Sequence, residues 1–183
     1  MTDASVSDPK DITGSLVRAL VLYSLAEFQS GHATTIRVIA DGQSFNVADD
    51  GRGHAIDRTV AGLPYLKFVY THLDYPFGQC QSAPLQLHAI GISLINVLCG
   101  DLIVTTHKKD VTLRMSFKRG RLCDYNVVKV MSEETGNAIS GNVNPQLHTG
   151  DVDAQRLRQW LVGLLTATPT LKLFFNGLAL HAL

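Results

Sequence analysis

The feature that most constrains this chain is an alternating run that ends in an acidic, glycine-rich turn. Apolar and polar residues alternate from residue 34 to residue 47, with Asp41 and Gly42 between the two halves. A period of two interrupted by Asp-Gly is typical of a β-hairpin. Asp-Asp-Gly-Arg-Gly follows directly at residues 49–53. A carboxylate there can accept a hydrogen bond from an exocyclic amine, and glycines let the backbone approach a flat ring. The run predicts a hairpin leading to a small binding pocket, with a plain turn as the alternative.

Composition narrows the class of protein. A length of 183 residues favours one domain with a sizeable core. The 16 basic and 16 acidic residues balance, which does not favour DNA or a membrane surface as a direct partner. The three cysteines are widely spaced and match no metal-binding pattern, which favours reduced thiols. The first residues lack the apolar core of a signal peptide, and no apolar run is long enough to span a membrane. We therefore expect a cytoplasmic domain.

Periodicity predicts most of the remaining elements. Apolar residues at helical spacing predict a first helix from residue 13 to about residue 31 and a last helix from about residue 153 to residue 165. Further predictions are a buried helix at 85–98 and strands at 102–106, 111–117, 122–130 and 170–175. The composition of residues 74–84 and 132–149 predicts loops, the former a candidate lid. Residues 55–70 suggest a helix interrupted by Pro64, and residues 178–183 an apolar tail.

Sequential strands joined by short turns, together with amphipathic helices, define the expected architecture. They predict an α+β fold, a two-layer sandwich in which helices cover one face of a mixed sheet. We expect a disordered lead at residues 1–12 and a single domain at residues 13–183. Because the printed sequence ends at Leu183, we expect no second domain after it.

Four segments in this order resemble the ATP-binding domain of the GHKL superfamily, also called the Bergerat fold. They are residues 30–38, 47–53, 87–98 and 156–173. The resemblance is closest to the amino-terminal ATPase domain of type IIA topoisomerase B subunits, gyrase B and topoisomerase IV. It implies that Asp49 binds the adenine amino group, Gly51 and Gly53 shape the pocket floor, and Arg52 lies at the mouth. The nucleotide-binding positions implied in full are Asp49, Gly51, Arg52, Gly53, His88, Gly91 and Asn137.

The chain departs from that family on its first helix. The resemblance implies a Glu that activates water and an Asn that holds magnesium, but ungapped alignment places Ala19 and Tyr23 at those positions. Residues 1–45 contain no Asn, and Glu27 is their only Glu. Tyr23 is interpreted as filling the vacated space, and Glu27 either as a solvated carboxylate or as a diverted catalytic acid. We therefore predict no catalytic residue and no magnesium ligand.

Other family motifs are only partly present. In residues 84–91 only Gly91 clearly remains of a glycine-rich phosphate segment, and residues 135–137 read Thr-Gly-Asn where the family has Thr-Gly-Thr. The turn after the adenine motif reads Gly-His-Ala at residues 53–55. The missing second domain would also remove the lysine that family members supply from it. The changes at residues 84–91 predict weaker phosphate binding, whereas those at residues 135–137 and 53–55 predict a partial contact beside the adenine and a softened turn after it.

The resemblance and the departures together give three hypotheses of function. The first is a gyrase-B-like ATP-binding domain that has lost hydrolysis, a pseudoenzyme acting as a nucleotide-sensing or protein-interaction module. Its ligand would be ATP or ADP, without an expected role for magnesium, and its partner a topoisomerase subunit or a second copy. The alternative is the ATPase domain of a divergent ATP-dependent type II DNA topoisomerase. The second alternative is a scaffold that binds no nucleotide.

Overall fold

The computed structural model describes residues 11–72, 91–130, 133–147 and 150–182. Three predicted features fall largely outside these ranges: the lead, the candidate lid at 74–84, and the phosphate segment with His88. The structure therefore does not test the predictions made for these three features. The expected single domain over 13–183 likewise stays a prediction.

Four helices and ten strands make up the described part of the chain. The helices are α1 (Ile12–Gln29), α2 (Tyr65–Thr71), α3 (Ile92–Leu98) and α4 (Ala154–Ala167). The strands are β1 (Thr35–Asp41), β2 (Ser44–Asp49), β3 (Thr59–Val60), β4 (Leu63–Pro64), β5 (Cys99–Lys108), β6 (Val111–Lys118), β7 (Arg121–Lys129), β8 (Gly136–Val143), β9 (Lys172–Phe175) and β10 (Leu178–Ala179).

Eight strands form one mixed sheet in the order β10-β9-β1-β2-β8-β5-β6-β7, and β3 pairs with β4 separately. The pair β1 and β9 is parallel, and the other pairs in the large sheet are antiparallel. On β1, Ile36 and Val38 are buried whereas Arg37 and Ile39 are exposed, so one face of the sheet is covered and the other is open. Helix α1 packs on β1, β2 and β8, and α4 packs on β9. The predicted α+β sandwich is confirmed.

Helix α1 begins and ends where local chemistry favours a boundary. The Asp11 carboxylate accepts a hydrogen bond of 2.7 Å from the Gly14 backbone N–H, as an N-cap residue does. At the other end, the Gly31 N–H donates to Phe28 O and the His32 N–H donates to Glu27 O. Gly31 has φ +76°, so these bonds form the Schellman arrangement for which glycine is favoured. The predicted end at Gly31 is confirmed.

The prediction of a loop over residues 132–149 was wrong for residues 136–143. Strand β8 lies there, at the centre of the sheet between β2 and β5. Its Gly, Asn and Ser content suggested a loop, but the strand needs small residues because its neighbours approach closely. A Cβ atom on Gly141 would lie 2.6 Å from the Asp101 carbonyl oxygen.

The region around Pro64 also differs from its prediction. Residues 55–70 contain the small β3–β4 sheet, and α2 begins only after Pro64, which occupies its N-cap position. A proline cannot continue a helix from the amino-terminal side, because it lacks the N–H group and restricts the preceding residue. The predicted apolar tail contains one further short strand, β10, paired with β9. In the predicted helix at 85–98, the described helical part is α3.

Candidate functional site

A cavity of about 320 Å³ lies between α1 and the covered face of the sheet, at the end of the β1–β2 hairpin. Its volume is within the range of small-molecule sites, and most of its wall is apolar. The described residues that line it are Leu20, Tyr23, Ser24, Glu27, Val47, Asp49, Arg52, Gly53, His54, Ala55, Arg58, Tyr65, Ile92, Lys108, Asn137 and Ile139. Four predicted site residues, Asp49, Arg52, Gly53 and Asn137, therefore share one cavity.

Asp49, the last residue of β2, is the polar centre of this cavity. Its Oδ2 accepts a hydrogen bond of 2.8 Å from Ser24 Oγ on α1. Its Oδ1 accepts bonds of 3.0 Å from the Gly51 N–H and 3.3 Å from the Asn137 N–H. Groups from a helix, a turn and a neighbouring strand thus fix one carboxylate, so its orientation is set before any ligand arrives.

Burial and hydrogen bonding act on Asp49 in opposite directions. Burial raises the pKa of this carboxyl, because removal from water disfavours the charged form, and it outweighs the hydrogen bonds from Ser24, Gly51 and Asn137. The result is a desolvated carboxyl group on a largely apolar wall. Such a group gains more than an exposed one from a ligand that donates a hydrogen bond.

The glycines around Asp49 stand where a side chain would collide with neighbouring atoms. Gly53 has φ +69°, and a Cβ there would lie 2.5 Å from the His107 carbonyl oxygen. A Cβ on Gly51 would lie 2.9 Å from Asp49 Oδ1. Gly53 lines the cavity, and the prediction that Gly51 and Gly53 shape the pocket floor stays a prediction.

Arg52 lies at the rim and forms an ion pair with Glu27. Its Nη2 is 2.8 Å from Glu27 Oε1 and its Nε is 3.1 Å from Glu27 Oε2, a bidentate arrangement. The hydrogen bond from Arg52 lowers the pKa of the Glu27 carboxyl despite partial burial. The two interpretations from the sequence, a solvated carboxylate and a diverted catalytic acid, stay predictions, and the structure adds the ion pair with Arg52.

We expect this ion pair to contribute little to stability. The two side chains are 53% and 21% exposed, and exposed pairs contribute about 1 kcal/mol or less. A double-mutant cycle with Arg52→Met and Glu27→Gln, measured by urea unfolding, should give a coupling of that size that shrinks at high salt. A coupling well above that size, insensitive to salt, would mean that the pair behaves as a buried one.

Asn137 joins the turn after Asp49 to the central strands. Its Oδ1 accepts hydrogen bonds of 3.0 Å from the His54 N–H and 2.9 Å from Thr106 Oγ1. Its own backbone N–H donates to Asp49 Oδ1. The family resemblance suggested a ligand contact at this position, and the structure gives the side chain a role in holding the cavity wall together.

Two buried polar groups beside the cavity have no hydrogen-bond partner among the described residues. They are His54 Nε2 and the Tyr70 hydroxyl, and the two rings meet edge to face with centroids 6.2 Å apart. Burial lowers the pKa of His54 to about 4, so the ring is neutral at physiological pH. Burial also raises the pKa of Tyr70, with smaller contributions from Tyr23 and Asp49.

The two α1 positions at which the resemblance implies a catalytic Glu and a magnesium-binding Asn are occupied by Ala19 and Tyr23. Ala19 is buried in the core, 7% exposed, and Tyr23 lines the cavity. The described residues contain no group of three or more His, Cys, Asp or Glu side chains placed to hold a metal ion.

The remaining predicted contacts concern the phosphate end. Gly91 occupies the N-cap position of α3, directly before the cavity residue Ile92. His88 lies outside the described residues, so its predicted contact is untested.

Sequence reasoning did not identify Ser24 or His54 as site residues. A signal for Ser24 existed, because it lies three residues before Glu27 and four after Leu20, on one helix face.

No family model matches the chain. The DNA gyrase B protein of Streptococcus pyogenes serotype M3 is 31% identical over 149 residues, covering 78% of this chain and 23% of that protein. The type 2 topoisomerase B protein of Aquifex aeolicus is 31% identical over 127 residues, covering 66% of this chain and 16% of that protein. The chain thus spans about a quarter or less of the length of these relatives.

Solved structures give the fold. The topoisomerase IV ATP-binding domain of Francisella tularensis, solved with a small-molecule inhibitor, superposes with a TM-score of 0.76 at 21% identity, covering 91% of this chain and 85% of that one. The 43K ATPase domain of Thermus thermophilus gyrase B, solved with an aminocoumarin, gives 0.75 at 24% identity, covering 91% and 45%. The protein therefore has the GHKL ATP-binding fold. Within that class, the sequence matches place it with the type IIA topoisomerase B subunits, as a gyrase-B-like ATPase-type domain.

In the described residues, no helix has the length and apolarity to cross a membrane.

Proposed function

We propose that this chain binds adenine nucleotides in the Asp49 cavity and acts without hydrolysing them, as a nucleotide-sensing or protein-interaction module. The observation that carries the proposal is the fixed, desolvated Asp49 carboxyl group on an otherwise mostly apolar wall. A purine ring can lie between such walls while its exocyclic amine donates to the carboxylate. ATP or ADP is the ligand class that the fold and this contact favour.

The side chains of α1 support the absence of hydrolysis. Phosphoryl transfer depends on positioning the nucleophile and on neutralising phosphate charge, which a metal ion largely supplies. A methyl group at Ala19 cannot accept a proton from water, and a phenol at Tyr23 is a poor magnesium ligand. Binding of the base would survive these changes, because Asp49 and the apolar wall do not depend on them.

A module of this kind would signal its occupancy to another protein. The partners we propose are a topoisomerase subunit or a second copy of this chain, since the domain belongs to the family of topoisomerase B subunits. Ligand binding would act by favouring one arrangement of the surface over another. The two alternative functions are a divergent ATPase and a scaffold that binds no nucleotide, and the next experiment distinguishes them from the proposed function.

Thermal unfolding with ATP, ADP and a non-hydrolysable analogue tests the binding. A ligand at about 100 times its dissociation constant stabilises the native state by roughly 2.7 kcal/mol, which raises the melting temperature of a domain of this size by several degrees. We expect such a rise for all three nucleotides, and no phosphate release over background. Turnover that requires magnesium would support the ATPase alternative, and no rise with any nucleotide would support the scaffold.

Asp49→Asn should weaken nucleotide binding about 10- to 100-fold, because an amide can present a donor where the ligand amine needs an acceptor. Isothermal titration of wild type and variant with ADP measures the change. Asp50→Asn is the matched control: the Asp50 carboxylate bonds Thr34 and Thr35. That substitution should lower stability and leave the ADP affinity unchanged. Equal ADP affinities for the wild type and Asp49→Asn would show that Asp49 does not contact the nucleotide.

A further inference from the structure

The cavity-facing side of α1 is built from four residues. Leu20, Tyr23, Ser24 and Glu27 recur at three- and four-residue spacing, so they share one helix face, and all four line the cavity. Two of them already contact other side chains: Ser24 donates a hydrogen bond to Asp49, and Glu27 forms an ion pair with Arg52. Tyr23 lies between them, at the position where the family resemblance implies a magnesium ligand.

The residues around Tyr23 do not fit a magnesium ion. Magnesium requires hard oxygen ligands in near-octahedral geometry, supplied mainly by carboxylates, amide oxygens, phosphates and water. Here the lining neighbours Leu20 and Ile92 are apolar, and burial raises the pKa of the Tyr23 phenol, which further disfavours the phenolate that would bind a metal ion. The Ile92 backbone N–H faces the Tyr23 hydroxyl and only partly offsets that rise. An N–H group beside the oxygen repels a cation.

The two nearby carboxylates offer no substitute. Both oxygens of Glu27 bond the Arg52 guanidinium, at 2.8 and 3.1 Å. Both oxygens of Asp49 accept hydrogen bonds from α1, the turn and β8. A metal ion at Tyr23 would have to break one of these arrangements and also enter beside a bulky ring.

We infer that the ligand of this cavity is an adenosine compound bound without a metal ion, and that Tyr23 is the residue that excludes the ion. This inference rests on the proposed function. In the described part of the chain, the cations that line the cavity are Arg52, Arg58 and Lys108, and Arg52 is paired with Glu27. Phosphate charge therefore meets side chains rather than magnesium. Because no metal ion takes part, AMP, ADP and ATP should bind by the same kind of contacts.

Titration of the wild-type chain tests this directly. Affinities for AMP, ADP and ATP are measured by calorimetry, once with excess magnesium and once with EDTA. We expect each dissociation constant to agree within about twofold between the two conditions, and AMP to bind within about tenfold of ATP. A gain of tenfold or more for ATP on adding magnesium would overturn the inference while leaving adenine binding intact. Failure of every nucleotide to bind would instead overturn the proposed function.

Two substitutions test the role of Tyr23 itself. Tyr23→Asn supplies an amide oxygen in less volume, so the affinity for ATP should become about tenfold higher with magnesium than with EDTA. Because Tyr23 also lines the cavity, the affinity for AMP in EDTA is measured for each variant, and the gain on adding magnesium is taken relative to it. Tyr23→Phe keeps the ring and should stay insensitive to magnesium. Metal-independent ATP binding by a folded Tyr23→Asn variant would show that Tyr23 is not the excluding residue. Should that variant fail to fold, the wild-type titration still decides the inference.

Discussion

Gly136→Ala should destabilise the protein by about 3–5 kcal/mol and abolish nucleotide binding. Gly136 opens strand β8 with φ +125°, and a Cβ atom there would overlap the Asp49 carbonyl oxygen and lie 3.0 Å from Asp50 Cα. Because the obstructing atoms belong to the backbone, they cannot move aside as a flexible side chain can. The displaced backbone would be that of Asp49 itself, so stability and the site should fail together.

Gly177→Ala provides the matched control for this prediction. Gly177 has φ +82°, and a Cβ atom there would meet nothing within 4 Å. Its substitution should cost only the intrinsic strain of the left-handed region, about 1–2 kcal/mol. Urea unfolding of both variants measures the difference. Similar losses at the two positions would show that conformational strain, and not the close approach to Asp49, determines the cost at Gly136.

The stability of the wild-type chain should rise by up to about 3 kcal/mol between pH 4 and pH 6.5 because of His54. Burial lowers the pKa of His54 from 6.5 to about 4. Between these values the unfolded chain binds a proton on this ring and the native chain does not, so acid favours unfolding. The contribution is fully present above pH 6.5 and lost as the pH falls toward 4. Nearby Glu27 raises this pKa and Lys108 lowers it, both less than burial.

A variant isolates the contribution of His54 from that of other titrating groups. Asp49, whose pKa burial raises, contributes in the opposite sense, since its stabilisation is lost as the pH rises through its native pKa. Subtracting the pH dependence of His54→Asn from that of the wild type removes this and other shared terms. A wild-type curve that parallels the variant curve between pH 4 and pH 6.5 would show that His54 titrates normally in the native state.

The family and most of the fold could be predicted from the sequence because their signals are local. The alternation that gives β1 and β2, the cap and stop signals of α1, and the Asp-Asp-Gly-Arg-Gly turn each depend on neighbouring residues. The absence of Glu at Ala19 and of Asn at Tyr23 could likewise be read directly once the helix was aligned. The residue types at positions 19 and 23 limit the functional groups that α1 can offer, and this limit does not depend on how the rest of the chain packs.

Tertiary structure decided what depends on residues far apart in the chain. Strand β8 has the composition of a loop, and it is a central strand because β2 and β5 satisfy its backbone on both sides. The pairing of Glu27 with Arg52, 25 residues later, and of Asp49 with Asn137, 88 residues later, could not be inferred from local pattern. The sequence by itself determined the hairpin, the Asp-Asp-Gly-Arg-Gly turn and the residue types, Ala19 and Tyr23, that α1 presents. Only the packing of α1 against β2 and β8 made Asp49 a fixed, desolvated acceptor, because burial and hydrogen-bond partners are properties of the assembled layers.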